Sequence, residues 1–324
     1  MPATNKRVTA ADVARSLGLS RATVGFVLNN TPGQSIPQST RKRVLDEAER
    51  LGYRPNPAAQ ALRRGSTRLV MLLLPDWPME SSMAEFLDEV SYGLDQAGYT
   101  AVTYTRRAGN RARPLWERLH PDVILGMGEL DAAEARSARD SGVRSIVTLP
   151  IASSVVVVAG TAEQVRHLYA RGHRRLAFAQ PVDERVGDLA SARLDAAQAT
   201  AAELGIEPLE VCPVAAGDGS ARRAVEVWRD NGITGVVAYN DFVAALVVGA
   251  AVRAGIGVPA PLAVIGHDDS EFTEAFVPTL STVRLEMSGL VRYVTEMALY
   301  GAGQLKAPPQ EAGPDFVVIR REST

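Results

Sequence analysis

The rhythm of apolar and polar positions changes near residue 68. Before it, apolar side chains recur three or four positions apart in short runs, the spacing of helices that bury one face. Val13, Ala14 and Leu17 fall on one such face. Thr9 stands where a side-chain oxygen can take a free helical N–H, and Gly18 can end the helix because it lacks a Cβ that would clash at positive φ. Ser20 is placed to cap a second helix, on which Val24, Val27 and Leu28 turn inward while Arg21, Ala22, Gly25 and Phe26 stay outward. The run TRKRVLDEAERLG predicts a third helix over 40–50, with Val44, Leu45, Ala48 and Leu51 on its buried face and Gly52 as its stop. Pro57 then suits the first turn of a short helix in NPAAQALRRG.

Beyond residue 68, short apolar runs alternate with longer amphipathic stretches. The pattern predicts strands over 69–74, 101–104, 123–125, 145–149, 155–158, 176–179, 235–238 and 262–265. Helices are predicted over 83–97, 132–140, 161–170, 189–204 and 220–230. Alternation of this kind implies an α/β body with parallel sheets covered by helices, and such sheets bind ligands beyond the C-terminal ends of their strands. There is no GxGxxG, no phosphate loop and no nucleophile elbow. The body therefore carries no catalytic constellation, and a non-enzyme without cofactor is expected.

Composition sharpens two points. The longest wholly apolar run, 242–252, is shorter than the ~20 residues a membrane helix needs. The polar start MPATNKRVTAADVA is not a signal peptide, and the one cysteine, Cys212, cannot form an intrachain disulfide; a cytoplasmic protein without membrane contact is expected. His120, His167, His173 and His267 are scattered, so no metal is expected.

Charge changes the picture more. Up to Arg68 the chain has twelve Lys and Arg against four Asp and Glu, a net +8; the whole chain is −2, so the remainder carries −10. A basic head on an acidic body suits a polyphosphate partner, because each phosphate contact releases counterions. Two short helices joined by a tight turn are the unit that places a helix in the DNA major groove. Arg21 and Ala22 open the second helix, where base edges are approached; an arginine there can pair bidentately with guanine or hold a phosphate. Phe26 could touch a thymine methyl.

DVARSLGLSRATV, VLNN and TRKRVLDEAERLGYRPNPAAQAL together resemble the head of the lactose-repressor (LacI/GalR) family of transcription regulators. The likeness continues through RGHRRLAFAQP, ARLDAAQ, YND, GIGVPAPLAVIGHDDS, PTLSTVR and RREST, and so spans essentially the whole chain. It implies a helix-turn-helix head over 1–55, a hinge helix and linker over 56–67, and a two-lobed, periplasmic-binding-protein-like effector and dimerisation body over 68–324. It also implies a dimeric repressor on a near-palindromic double-stranded DNA operator, released or tightened by a sugar or related polar metabolite. No leucine-heptad tail follows RREST, so no tetramer is expected.

By the resemblance, Thr9, Ser20, Thr23, Asn29, Tyr53 and Asn56 join Arg21, Ala22 and Phe26 at the DNA. Leu62 falls on the position that wedges between central base pairs, and small Ala59 would let two hinge helices approach closely. An ordinary linker whose leucine packs on the body is the other reading of that segment. In the body Arg193, Asn240 and Asp268 match effector-contact positions; a donor, an amide and a carboxylate in one cleft suit vicinal hydroxyls. The chain departs from the family at Gly25, Phe26, Pro150, Ala159 and Ala196. It also departs in DWPMESS, which replaces the usual Asn-Pro-Phe-Phe, and in a stretch between Tyr99 and Asp122 about a turn or two short. The first lobe's share of the pocket is thus altered, and Trp77 joins the candidates there. A transport-type binding protein is opposed by the basic head, and a regulator that senses no metabolite stays open.

Overall fold

The computed structural model describes residues 8–31, 33–105, 107, 112–128, 130–149, 155–311, 313 and 315–324. The chain divides into two compact units, Met1–Thr67 and Arg68–Thr324.

The first unit is helical. Helices α1 (Ala10–Leu17), α2 (Arg21–Leu28) and α3 (Gln38–Arg50) close over Val13, Ala14, Val24, Val27, Val44 and Ala48. The local chemistry explains the breaks. Asp12 turns back to accept both the N–H and the hydroxyl of Thr9, at 3.0 and 2.6 Å. Those bonds, the hydroxyl's first, hold its carboxyl down at about 2. Gly18 ends α1 at φ +63°, and Ser20 caps α2 by accepting the Thr23 N–H at 3.0 Å. Leu45 is not on the buried face of α3 as its spacing predicted: it is 48% exposed. Val44, Ala48 and Leu51 follow the four-then-three step of one helical stripe, and Leu45 lies about 100° round from Val44. The short helix α4 (Pro57–Arg64) forms with the expected length. Ala59, Ala61 and Leu62 lie outside the head's core.

The second unit has two lobes, each built on a parallel sheet. The first lobe orders its strands β2-β1-β3-β4, from Leu69–Leu74 (β1), Thr100–Thr105 (β2), Val123–Gly126 (β3) and Ser145–Thr148 (β4). One face of that sheet packs on α5 (Ser81–Gln96). The other packs on the one-turn helix α6 (Trp116–Leu119), whose Trp116 is fully buried, and on α7 (Ala132–Asp140). The second lobe repeats the arrangement as β6-β5-β7-β8, from Leu176–Pro181 (β5), Glu210–Val214 (β6), Gly235–Ala238 (β7) and Ala263–Ile265 (β8). Its helices are α8 (Val155–Ala170), α9 (Gly187–Glu203), α10 (Ser220–Asp230) and α11 (Asp241–Arg253).

The lobes are tied by the late chain. Strand β9 (Thr282–Leu285) leaves the second lobe, and α12 (Met287–Gly301) packs Val294 and Ala298 into the first lobe's core. The chain then returns as β10 (Phe316–Ile319), antiparallel to β9. Its last residues are buried: Ser323 donates to the Val264 carbonyl at 2.7 Å and takes the Val264 N–H at 2.9 Å.

Residues 155–158 are helical and open α8, where a strand was predicted. Four valines favour a strand locally, but α8 packs on β9 and β10. Gly160 passes so near the His267 and Phe316 rings that a Cβ there would run into both. Tertiary packing thus overrides local propensity. Pro150 lies outside the described residues.

Gly160→Ala should therefore cost roughly 1–3 kcal/mol through overpacking. Chemical denaturation checks it; a loss no larger than that of an exposed control glycine would show that the approach relaxes freely.

Candidate nucleic-acid interface and ligand cleft

In the head, the predicted contact residues do not share one environment. Arg21 and Ala22 are exposed at the start of α2, where helical N–H groups and the positive dipole end favour anions. Thr9 and Ser20 are exposed too; the Ser20 and Thr23 hydroxyls share a 2.9 Å hydrogen bond. Phe26 is half-buried one turn further on. Asn29 folds its amide back onto the Gly25 carbonyl, and Tyr53 packs partly into the head's core, so both also hold the fold. Asn56 is exposed, and its side-chain oxygen takes the Ala59 N–H at 3.4 Å at the start of α4. Ala59 is exposed and Leu62 is 87% exposed.

In the body, the strand ends and α5 enclose a cavity of about 410 Å³ between the lobes. Arg193, Asp268 and Trp77 line it, as predicted from the sequence, while Asn240 lies just beside it. Arg193, on α9, is only 4% exposed. It donates to the Tyr239 carbonyl at 2.5 Å, reaches Asp268 at 3.4 Å, and stands 4.8 Å from the Tyr239 ring centre. Asp268 also accepts from His267 Nδ1 at 2.7 Å. Burial alone would raise the Asp268 carboxyl, but the Arg193 charge and the His267 contact hold it well below the usual carboxylate range.

Two backbone features present that carboxylate. Asp268 and Asp269 sit at φ +101° and +51°, conformations that side-chain-bearing residues rarely adopt and that tend to occur where a site is held in shape. The loop is pinned from behind. Buried Asp241, at the start of α11, takes the Thr282 hydroxyl at 2.6 Å and the Ser270 N–H at 2.7 Å. From α8, the Gln164 amide donates to the carbonyls of Ala238, Ile265 and Gly266 at 2.9, 3.2 and 2.7 Å, tying the ends of β7 and β8.

Asn240 spans the cleft. Its oxygen caps α11 on the Val243 N–H at 2.9 Å, and its Nδ2 donates to Glu80 at 2.7 Å. Glu80, from the first lobe, also lies close to Asp268. Burial and then the Asp268 charge push its carboxyl up to about 7. Glu80, Tyr239 and His267 were missed by sequence reading. Glu80 sits in DWPMESS, and that departure from the family was the available signal. Among the described residues no cluster of His, Cys, Asp and Glu could hold a metal ion, and no helix is long and apolar enough to cross a membrane.

Residues 9–56 match the family model described as bacterial regulatory proteins, lacI family, and residues 165–324 match that of a periplasmic binding protein-like domain. An HTH-type transcriptional regulator from the aml 5' region of Streptomyces limosus is 31% identical over 307 residues, covering 85% of this chain and 82% of its own. The HTH-type transcriptional regulator DegA of Bacillus subtilis is 25% identical and covers 98% of both chains. Among solved structures, the Lac repressor dimer bound to operator and the anti-inducer ONPF aligns with a TM-score of 0.76 at 22% identity, over 98% of this chain and 99% of that one. A CelR–cellobiose complex aligns at 0.65 and 22% identity, over 98% and 100%. At that identity the structures establish the fold alone.

The raised carboxyls predict a pH signature. Glu80 moves from 4.5 and Asp241 from 3.8, each up to about 7, so the folded body keeps protons that the unfolded chain has already released. Their contribution therefore falls as pH rises from those lower values through about 7. His267, lowered by burial, works the other way below its ordinary value of 6.5, so the readout is a difference between variants. Glu80→Gln should gain thermal stability relative to wild type as pH rises from about 5 to 7.5. A melting-temperature difference that stays constant with pH would contradict the assignment.

Proposed function

The chain belongs to the LacI family of bacterial regulatory proteins, and from that premise we propose a cytoplasmic homodimeric repressor gated by a small molecule in its cleft. It is a helix-turn-helix DNA-binding transcription regulator. Two heads read half-sites of a near-palindromic operator, since a twofold protein mirrors twofold DNA. The observation that carries the reading is the exposed start of α2, with Arg21 and Ala22 unburied on a helix whose opposite side supplies Val24 and Val27 to the core.

The hinge assignment rests on α4. A helix of 8 residues is marginal alone in water, and a leucine left 87% exposed is in place to enter the minor groove. Arg193, Asn240 and Asp268 are the proposed polar contacts to effector, with Trp77 on the apolar wall. Related regulators are structurally known with cellobiose and with the anti-inducer ONPF, and a sugar-like polar metabolite is the corresponding class for this cleft. The ligand acts by favouring one lobe arrangement, since it shifts an equilibrium only through differential affinity. The same residues carry no catalytic role in this reading.

The test begins with selection of bound sequences from random duplex DNA. Log affinity for the selected operator should fall linearly with log salt, with a slope of several units; a flat dependence contradicts head-driven binding. Arg21→Ala should then lose roughly 1–3 kcal/mol and relax preference at one symmetric pair of positions. Uniform weakening across sequences would place Arg21 on a phosphate.

A further inference from the structure

Resting on the proposal that the cleft holds an effector, we infer that this effector carries a protonated nitrogen beside an apolar face: an organic ammonium compound.

The argument is a charge count inside a cavity. Two carboxyls, Glu80 from the first lobe and Asp268 from the second, line it close to each other, and Glu80 takes its hydrogen bond from the Asn240 amide, at 2.7 Å, and not from a cation. Two guanidiniums line the cavity. Arg284 is committed to Asp269 and Glu286, each at 3.1 Å. Among the described residues Arg193 and His267 contact Asp268, and burial pushes the His267 imidazole toward its neutral form, which leaves Arg193 as the charge beside the acid pair. The pair is therefore one positive charge short. That shortfall is matched by a Glu80 carboxyl that burial and the Asp268 charge push up to about 7. A ligand ammonium group supplies the missing charge: its N–H donates to Glu80, and the displaced proton leaves to solvent. Glu85, exposed on the rim, adds a further carboxylate.

The rest of the wall suits what such a nitrogen is attached to. Trp77, Met83, Phe86, Met127, Leu290 and Phe316 make it largely apolar and rich in polarisable groups. Aromatic faces attract cations, and methionine adapts to irregular apolar shapes. The Asn240 amide is bonded at both ends and Asp268 holds Arg193 and His267, so ligand hydroxyls would share those groups while the nitrogen takes Glu80. An amino-substituted polyol and an aromatic amine both meet these demands, and the arms of the experiment separate them.

The experiment titrates the full-length protein, by calorimetry and thermal shift at neutral pH, with phenethylamine against phenethyl alcohol and with N-methylglucamine against sorbitol. At least one amine should bind roughly tenfold or more tighter than its hydroxyl counterpart. Glu80→Gln should reduce that preference to within about threefold, while Glu80→Asp, which keeps the charge, should retain most of it. Equal or tighter binding of the hydroxyl members, failure of both amines to bind, or a preference that survives Glu80→Gln in a folded variant would overturn the assignment. Operator binding on the same preparation reads the head. An unselective cleft with operator binding intact overturns the ammonium assignment alone, whereas loss of operator binding bears on the regulator reading.

Discussion

The body is organised around one buried charge pair, Arg193 with Asp268. A guanidinium that is 4% exposed is tolerated only where its charge is answered and its donors are used. Arg193 therefore dictates what surrounds it: the Tyr239 carbonyl in front, Asp268 beside it, and a loop held at positive φ to present that carboxylate. Asp241, Thr282 and Gln164 support the loop from three different elements. Removing one partner of such a pair leaves an uncompensated buried charge, typically at a cost of about 3–5 kcal/mol. The proposed ligand site is consequently also part of the body's stability.

Glu80 carries that influence across the cleft. Its bond from Asn240 joins the first lobe to the strand ends of the second, and β9, α12 and β10 provide the covalent return path. In the proposed reading a ligand group at Glu80 would replace its proton and its amide partner, and would shift a lobe equilibrium only through differential affinity for its two states. The head contributes its own constraint. Its core of Val13, Ala14, Val24, Val27, Val44 and Ala48 is small, so the short helices are fixed by caps at Thr9, Gly18 and Ser20 as much as by burial.

Much of this was legible in the residues, and where it was not, the reasons are physical. Helix-turn-helix spacing and caps were readable because they are local, and the parallel strands because they are short, continuous apolar runs. Strand β6 was missed because it is an edge strand: its side chains alternate between buried and exposed, and its Pro213 is tolerated only there. Strands β9 and β10 pair across more than thirty residues, and nothing local announces that pairing. Residues 155–158 read as a strand by β-branched content and fold as helix because α8 must pass His267 closely. In the cleft, the family likeness pointed to Arg193, Asn240 and Asp268. Glu80 escaped because its role depends on a partner 160 residues away.

The claim that Glu80 ties the lobes is tested most directly by a double-mutant cycle between Glu80 and Asn240. Glu80→Ala, Asn240→Ala and the double variant would be compared by equilibrium denaturation; the cycle cancels the loss of the α11 cap that Asn240→Ala brings alone. A bond across the cleft predicts a coupling of about 1 kcal/mol or more. Additivity to within about 0.3 kcal/mol would contradict it, and would mean that the lobes are held together without Glu80.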